Sequence, residues 1–234
     1  MNPESSHYSG EELDVFAHAA QWKTYWSSQI HRWVNGAVLE VGAGIGANTP
    51  YLQTPAVRSW HCLEPDESLA AHLRETVAGL PGIAVLPGTT RALEEQSYDT
   101  ILYIDVLEHI EDDREELAHA ARLLRPSGSL VVLSPAHPFL FSAFDAAIGH
   151  CRRYTRATLR ECAPPQIQLR SLRYLDSVGM LASLANRVLL RKGQPTLGQI
   201  LLWDRWMVPV SRRLDPLLGY SFGKSILGIW TRLE

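Results

Sequence analysis

The chain is poor in cysteine, in lysine and in long apolar runs. Its 234 residues include three cysteines, Cys62, Cys151 and Cys162. They are too few and too scattered for a disulfide framework or a zinc site. A chelated Mg²⁺ site would need convergent carboxylates that the spacing does not supply, so no metal is expected. No stretch reaches the length of a membrane-spanning helix. The opening MNPESSHYSGEEL lacks a basic region followed by an apolar run, so it does not read as a secretory signal. A reduced, cytoplasmic protein is the expectation. No internal repeat or low-complexity tract occurs. At 46% hydrophobic and 20% charged residues, the balance is that of an ordinary globular fold. The length suits one α/β domain with an elaboration.

The formal net charge of −3 gives no reason to expect nucleic acid as a partner, and no basic RNA-binding appendage is present. The charge is unevenly placed. Residues 151–234 hold 14 basic and 5 acidic side chains, net +9, against 8 and 20, net −12, in residues 1–150. The simpler reading is that unlike halves attract each other or sit solvated. The other is a basic face toward an anionic substrate or membrane surface.

Apolar periodicity predicts a helix over 11–34, stopped by Asn35-Gly36. Strands are expected over 37–41, 58–63, 83–86, 98–104 and 129–133. Helices are expected over 67–79 and 111–125, and Pro126-Ser127-Gly128 ends the second. Alternating strands and helices imply a parallel, doubly wound sheet with helical crossovers. After residue 135 the rhythm breaks into a loop, a short helix near 155–163, a strand near 167–174 and interrupted helices over 176–222. A last strand is expected over 224–232.

Glu40-Val41-Gly42-Ala43-Gly44-Ile45-Gly46-Ala47 follows the first strand and is expected to open a helix. The glycines permit a tight turn and close backbone approach to a ligand. The loop has no Lys-Ser/Thr pair and is no P-loop, but Gly42, Gly44 and Ala47 satisfy the dinucleotide spacing. Glu64, at the end of the second strand, could accept hydrogen bonds from both hydroxyls of a ribose and would repel a 2′-phosphate. Glu40 could supply an acceptor near a ligand amine. Asp105 stands at the end of the fourth strand, beside the switch point of such a sheet.

Glu40-x-Gly42-x-Gly44-x-Gly46, Glu64, the segment from Tyr98-Asp99 to Asp105-Val106-Leu107-Glu108-His109-Ile110, and the turn Leu124-Arg125-Pro126-Ser127-Gly128 together resemble the class I S-adenosylmethionine (SAM) dependent methyltransferases. The resemblance covers about residues 37–174. It implies a Rossmann-like sheet of seven strands with the last antiparallel. It implies one domain: an N-terminal helical lid (1–36), a SAM-binding core (37–174), a helical acceptor or lid insertion (175–223) and a last strand (224–234). By position, Gly42, Gly44 and Gly46 would pack under the methionine part of SAM. Glu40 would orient its amino group through the loop or a water. Glu64 would hold the ribose, Pro65 or Asp66 would flank the adenine, and Asp105 would line the methionine end. Gly88-Thr89-Thr90 stands where many relatives have Gly-Asp, which leaves Thr89 as an acceptor near the adenine. Tyr8 is expected to close the pocket from the lid, and Trp22 and Trp26 to pack it on the sheet. The segment Phe144-Asp145-x-x-x-Gly149-His150-x-Arg152-Arg153-Tyr154-Thr155 is similar to one found in bacterial members whose acceptor is unknown.

No motif identifies a dedicated nucleophile. His109, His137, His150 and Tyr154 are the candidates for acceptor contact or proton transfer, and each also has a structural reading. The expected function is methyl transfer from SAM, leaving S-adenosylhomocysteine, to a small molecule, either a specialised metabolite or a lipid-like compound. The alternatives are a SAM-fold enzyme with other chemistry and an NAD-binding oxidoreductase. Residues 176–222, with Arg205, Arg212 and Arg213 among apolar residues, suit a lid packed on its own domain or a helix lying on a membrane.

Overall fold

Short β-branched and leucine-rich runs form the strands. A computed structural model describes residues 11–95, 97–185 and 195–234. The strands are β1 (Gly36–Val41), β2 (Val57–Glu64), β3 (Ile83–Pro87), β4 (Tyr98–Ile104), β5 (Leu124–Pro135), β6 (Ile167–Leu175) and β7 (Ser225–Arg232). They form one seven-stranded sheet in the order β3-β2-β1-β4-β5-β7-β6, with β7 antiparallel to both neighbours. Its expected membership, polarity and last strand all hold. The central strands are buried on both faces, which is why they read as unbroken apolar runs. Asp99 ties their amino ends together: it accepts from the Ala37 amide (2.7 Å), Arg58 (2.8 Å) and Arg125 (3.0 Å).

The helices are α1 (Glu11–Ala17), α2 (Ala20–Ile30), α3 (Glu67–Val77), α4 (Asp113–Leu123), α5 (Ala143–Ala147), α6 (Arg156–Cys162), α7 (Ser177–Ala185), α8 (Leu197–Leu202) and α9 (Val208–Leu217). Helices α2, α3, α8 and α9 share one core with one sheet face. Helices α4 and α6 share the other. Trp22, Tyr25, Trp26 and Ile30 recur at helical spacing on α2 and are all buried. Each contributes about 1.5–3 kcal/mol of burial, so the tryptophans of this helix pack it on the sheet, as expected.

Three expectations about elements change. The single helix over 11–34 is two helices, α1 and α2, broken at His18-Ala19, followed by a 3₁₀ turn over His31–Trp33. The glycine loop opens no α-helix. The β1–β2 crossover holds only a 3₁₀ turn, Thr49–Tyr51. Pro50 and Pro55 bias the residues before them away from helix, and α2 with Leu52 fills that face instead. The β3–β4 crossover likewise has a 3₁₀ turn, Thr90–Ala92. Finally, the Pro126-Ser127-Gly128 turn lies within β5, with Ser127 at φ 63°.

The insertion is joined to the core by buried acids. Asp204 accepts from the Gln21 and Trp22 amides (3.0 and 2.8 Å), capping the start of α2. Asp215 accepts from Tyr25 Oη (2.6 Å) and from the Asp176 and Ser177 amides (2.7 and 3.1 Å). A π-helical turn, Trp203–Met207, links α8 to α9 and brings Trp203 and Asp204 inward together. Residues 186–194 of the expected insertion lie outside the described residues, as does Tyr8.

Candidate active site

The chain leaves β1 at Val41 and enters the glycine loop. Gly42 has φ +62°, and a methyl group there would stand 2.7 Å from Val106 Cγ2, just beyond β4. Gly46 has φ +77° and would meet Leu73 Cδ1 of α3 at 2.7 Å. Glycine at these two positions lets the loop pass close to both neighbours. Between them, the Gly44 amide donates to Glu64 Oε2 (2.8 Å), and the Asp66 amide donates to Oε1 (3.0 Å). Glu64 is buried at the end of β2. Burial raises its pKa, and the two amides work against that shift. A carboxylate offers about four acceptor directions; two are used here.

Glu40 supports the loop from beneath. Its Oε2 accepts from Thr49 Oγ1 (2.8 Å) and Trp60 Nε1 (3.1 Å). Burial pushes its pKa up to about 7, with those bonds and the Cys62 thiol opposing. Above the loop lies α1. Leu13 Cδ1 is 3.4 Å from the point a Gly44 methyl would occupy. Lys23 Nζ donates to the last carbonyls of α1, Phe16 (2.7 Å) and Ala17 (2.8 Å), and burial lowers its pKa to about 8.

Beside the loop, the carboxyl ends of β4 and β5 form a polar recess. Asp105 has φ 55° and keeps solvent contact, yet desolvation by the surrounding protein raises its pKa to about 6, against the charges of His150, Lys224 and Lys23. Glu108, on the 3₁₀ turn Leu107–His109, is fully buried. Burial, followed by the charge of Asp105, pushes its pKa well above the ordinary range. The loop over residues 149–154 is fastened onto this turn: the Cys151 amide donates to Glu108 O (2.8 Å), and Arg152 donates to Glu111 O (2.7 Å). That brings His150 to His109, with ring centroids 4.6 Å apart at 82°. His150 Nδ1 and Asp145 Oδ1 are 3.0 Å apart. Asp145 in turn accepts from Arg153 Nε (2.8 Å) and Nη2 (2.9 Å), and the partners His150, Arg153 and Ser142 hold its pKa low against the effect of burial. His109 is held low, to about 4, by burial and by His150.

A family model for a methyltransferase domain matches residues 39–130. The compactin nonaketide synthase, polyketide synthase component, of Penicillium citrinum is 32% identical over 121 residues, which is 47% of this chain and 4% of that protein. A "Probable S-adenosylmethionine-dependent methyltransferase" of Mycolicibacterium smegmatis is 29% identical over 135 residues, 56% of this chain and 51% of that one. The chain thus spans about half of the second relative and a small part of the first. The solved structure of geranyl diphosphate methyltransferase in complex with SAM has a TM-score of 0.66 over 98% of this chain and 93% of its own, at 12% identity, a likeness of fold. The matched segment begins in β1 and ends in β5, with the glycine loop, Glu64 and Asp105 inside it. Residues 39–130 thus match a methyltransferase domain, and the sheet that carries them has the class I SAM-dependent methyltransferase fold.

Within the matched segment, Gly42, Gly44, Gly46 and Glu64 lie together. Gly88 donates to Glu64 O (3.2 Å), which sets exposed Thr89 nearby. Pro65 is exposed beside Glu64, whereas Asp66 Oδ1 caps α3 through the Ser68 and Leu69 amides (2.9 and 3.0 Å). Tyr154 is in the core, its hydroxyl donating to Asp113 Oδ2 (2.8 Å). His137, at φ 65°, stacks on Tyr174 with centroids 4.6 Å apart. Sequence reasoning gave no role to Lys23, Lys224 and Asp176, and read Asp145 only as part of a segment similar to one in bacterial members. Lys224 Nζ lies 3.4 Å from the Trp203 ring centroid and 3.6 Å from Asp176 Oδ2. Their signal was rarity: lysine occurs three times in the chain, and two of those side chains border the recess. A separate depression lined by His31, Arg32, Asn35 and Gln53 opens at the amino end of β1, away from this site.

Proposed function

We propose that the chain transfers the methyl group of SAM to a small-molecule acceptor held over Asp105. The observation that carries this reading is the buried Glu64 carboxylate, fixed by the Gly44 amide across the glycine loop with acceptor directions to spare. Two free directions suit the two hydroxyls of a ribose. The absence of a helix after the loop counts against the dinucleotide alternative. That alternative relies on a helix N-terminus for its pyrophosphate, and a 3₁₀ turn stands there.

In this reading Gly42, Gly44 and Gly46 carry the methionine part, Glu40 holds the loop, and Pro65 and Thr89 border the adenine. Helix α1 covers the loop at Leu13, and Tyr8 precedes it in the chain. SAM supplies a sulfonium with an activated methyl group. The protein must then set the acceptor atom in line, about 3–3.5 Å from that methyl, and keep water out. His109 and His150 border the acceptor end, and His137 lies on the loop after β5. Tyr154 is turned into the core toward Asp113, and Asp66 caps α3 with Oδ1 beside the proposed adenine end.

Similarity to a polyketide synthase component supports a small-molecule acceptor. No helix among the described residues is long and apolar enough to cross a membrane. The outer side of α7–α9 nonetheless exposes Leu181, Leu202, Trp206 and Leu217 near Arg205, Arg212 and Arg213. These residues suit shallow contact with an anionic lipid surface while the inner side roofs the domain. Calorimetry tests the central reading: SAM and S-adenosylhomocysteine should bind and NADH should not. Binding of NADH without SAM would sink it. Liposome flotation tests the lipid contact, and absence from anionic vesicles would remove it.

A further inference from the structure

Glu108, His109 and His150 each offer a ligand atom, and these atoms all lie within 4.8 Å of one another. Glu108 is fully buried, and neither of its carboxylate oxygens has a hydrogen-bond partner. Burying a carboxyl group with its oxygens unsatisfied carries a desolvation cost, and a cation within reach of those oxygens would offset it. His150 Nε2 points toward it, 3.8 Å from Glu108 Oε1. The other ring nitrogen, Nδ1, is fixed by Asp145. A carboxylate that fixes one imidazole nitrogen while the other faces a ligand is the usual outer arrangement of a metal-bound histidine.

We propose that Glu108, His109 and His150 form a binding site for a divalent transition-metal cation. Two imidazoles and one carboxylate suit Mn²⁺, Fe²⁺, Co²⁺ or Zn²⁺ over Ca²⁺ and Mg²⁺, which favour oxygen ligands. Ligand atoms around one such cation stand roughly 3–3.5 Å apart, given bonds of about 2.1 Å. Taking up a cation would therefore draw the ligand atoms together by up to about 1.3–1.8 Å. Three protein ligands leave positions open toward the Asp105 recess, where an acceptor oxygen would bind. That use of the cation rests on the methyl-transfer reading; the binding itself does not.

The test uses the full chain, free of any affinity tag and stripped with a chelator. It carries Cys151→Ser, because the exposed Cys151 thiol adjoins His150 and could take up metal on its own. Co²⁺ is titrated in and followed by its visible absorption, with metal content measured after gel filtration. One equivalent per chain is expected. His150→Ala and Glu108→Gln should each weaken binding at least tenfold. Asp145→Asn, which leaves all three ligands in place, should weaken it about 10–100-fold. SAM binding is measured on every sample and reports folding separately. Glu108→Gln removes a buried charge and keeps the shape, so it serves where the histidine variant folds poorly. SAM-binding protein that takes up no cobalt overturns the proposal. So does cobalt binding of equal strength in His150→Ala and Glu108→Gln. Loss of SAM binding in the unsubstituted chain with cobalt uptake intact would count against the methyl-transfer reading instead.

Discussion

Glu40→Gln separates the electrostatic cost of the glycine loop's support from its geometry. Glu40 is buried among Thr49, Trp60 and Cys62, and its pKa rises from 4.5 to about 7. The sign follows from linkage. An acid whose folded-state pKa lies above its unfolded value leaves stability untouched below about pH 4.5. It then withdraws stability as pH climbs through the folded pKa, because the unfolded chain ionises more readily. A shift of roughly 2.5 units corresponds to about 3 kcal/mol, most of it expressed between pH 5 and pH 8. Glutamine keeps an acceptor oxygen for Thr49 and Trp60 but carries no titrating charge. The variant should therefore match the wild type near pH 5 and exceed it by about 2–3 kcal/mol near pH 8, less the weakening of two hydrogen bonds to a neutral acceptor. Urea unfolding of both proteins at pH 5, 6.5 and 8 measures this, and the difference between them cancels every other titrating group. A difference that stays flat across that range would show that Glu40 does not titrate in the folded protein, and the reasoning would fail. SAM affinity should change less than about threefold if Glu40 acts only through the loop, whose two hydrogen bonds the amide retains. A larger loss would place Glu40 in direct contact with the cofactor.

Glu64→Ala leaves the Gly44 and Asp66 amides and the ribose hydroxyls without their charged acceptor; hydrogen bonds of this kind contribute about 1.5–3 kcal/mol. SAM affinity should fall tenfold or more in calorimetry, and unchanged affinity would displace the ribose assignment. Gly42→Ala forces φ +62° on a side-chain residue and a close contact with Val106. It should cost about 1–3 kcal/mol of stability and weaken SAM, as read by thermal shift with and without ligand. Asp204→Ala removes the cap of α2 and should lower stability by about 1–2 kcal/mol. A neutral result would mean that the insertion is not held to α2 through that cap.

The positions of the strands along the chain were legible because each is a short apolar run between turn residues, and two-sided burial writes that pattern directly. The glycine loop was legible for a similar reason: positive φ and close packing at Gly42 and Gly46 tolerate little else. Glu64 was found by its distance from that loop along one crossover. The first crossover was misread because helical expectation there is local, whereas the face it would cover is filled by α2 from earlier in the chain. The +9 half was read only as surface charge. Three of its five acids, Asp176, Asp204 and Asp215, are buried and fasten the helical insertion to the sheet and to α2.

The sequence by itself determined where the strands fall along the chain and where the loop after β1 needs glycine, because these depend on residues near one another along the chain. The tertiary structure alone decided which distant side chains meet. His150 reaches Glu108 and His109 because the Cys151 amide pairs with the Glu108 carbonyl. Lys224 reaches Trp203 and Asp176 because β7 enters the sheet beside β5 and β6. Such contacts arise from strand order and loop closure across tens of residues, and no local pattern records them.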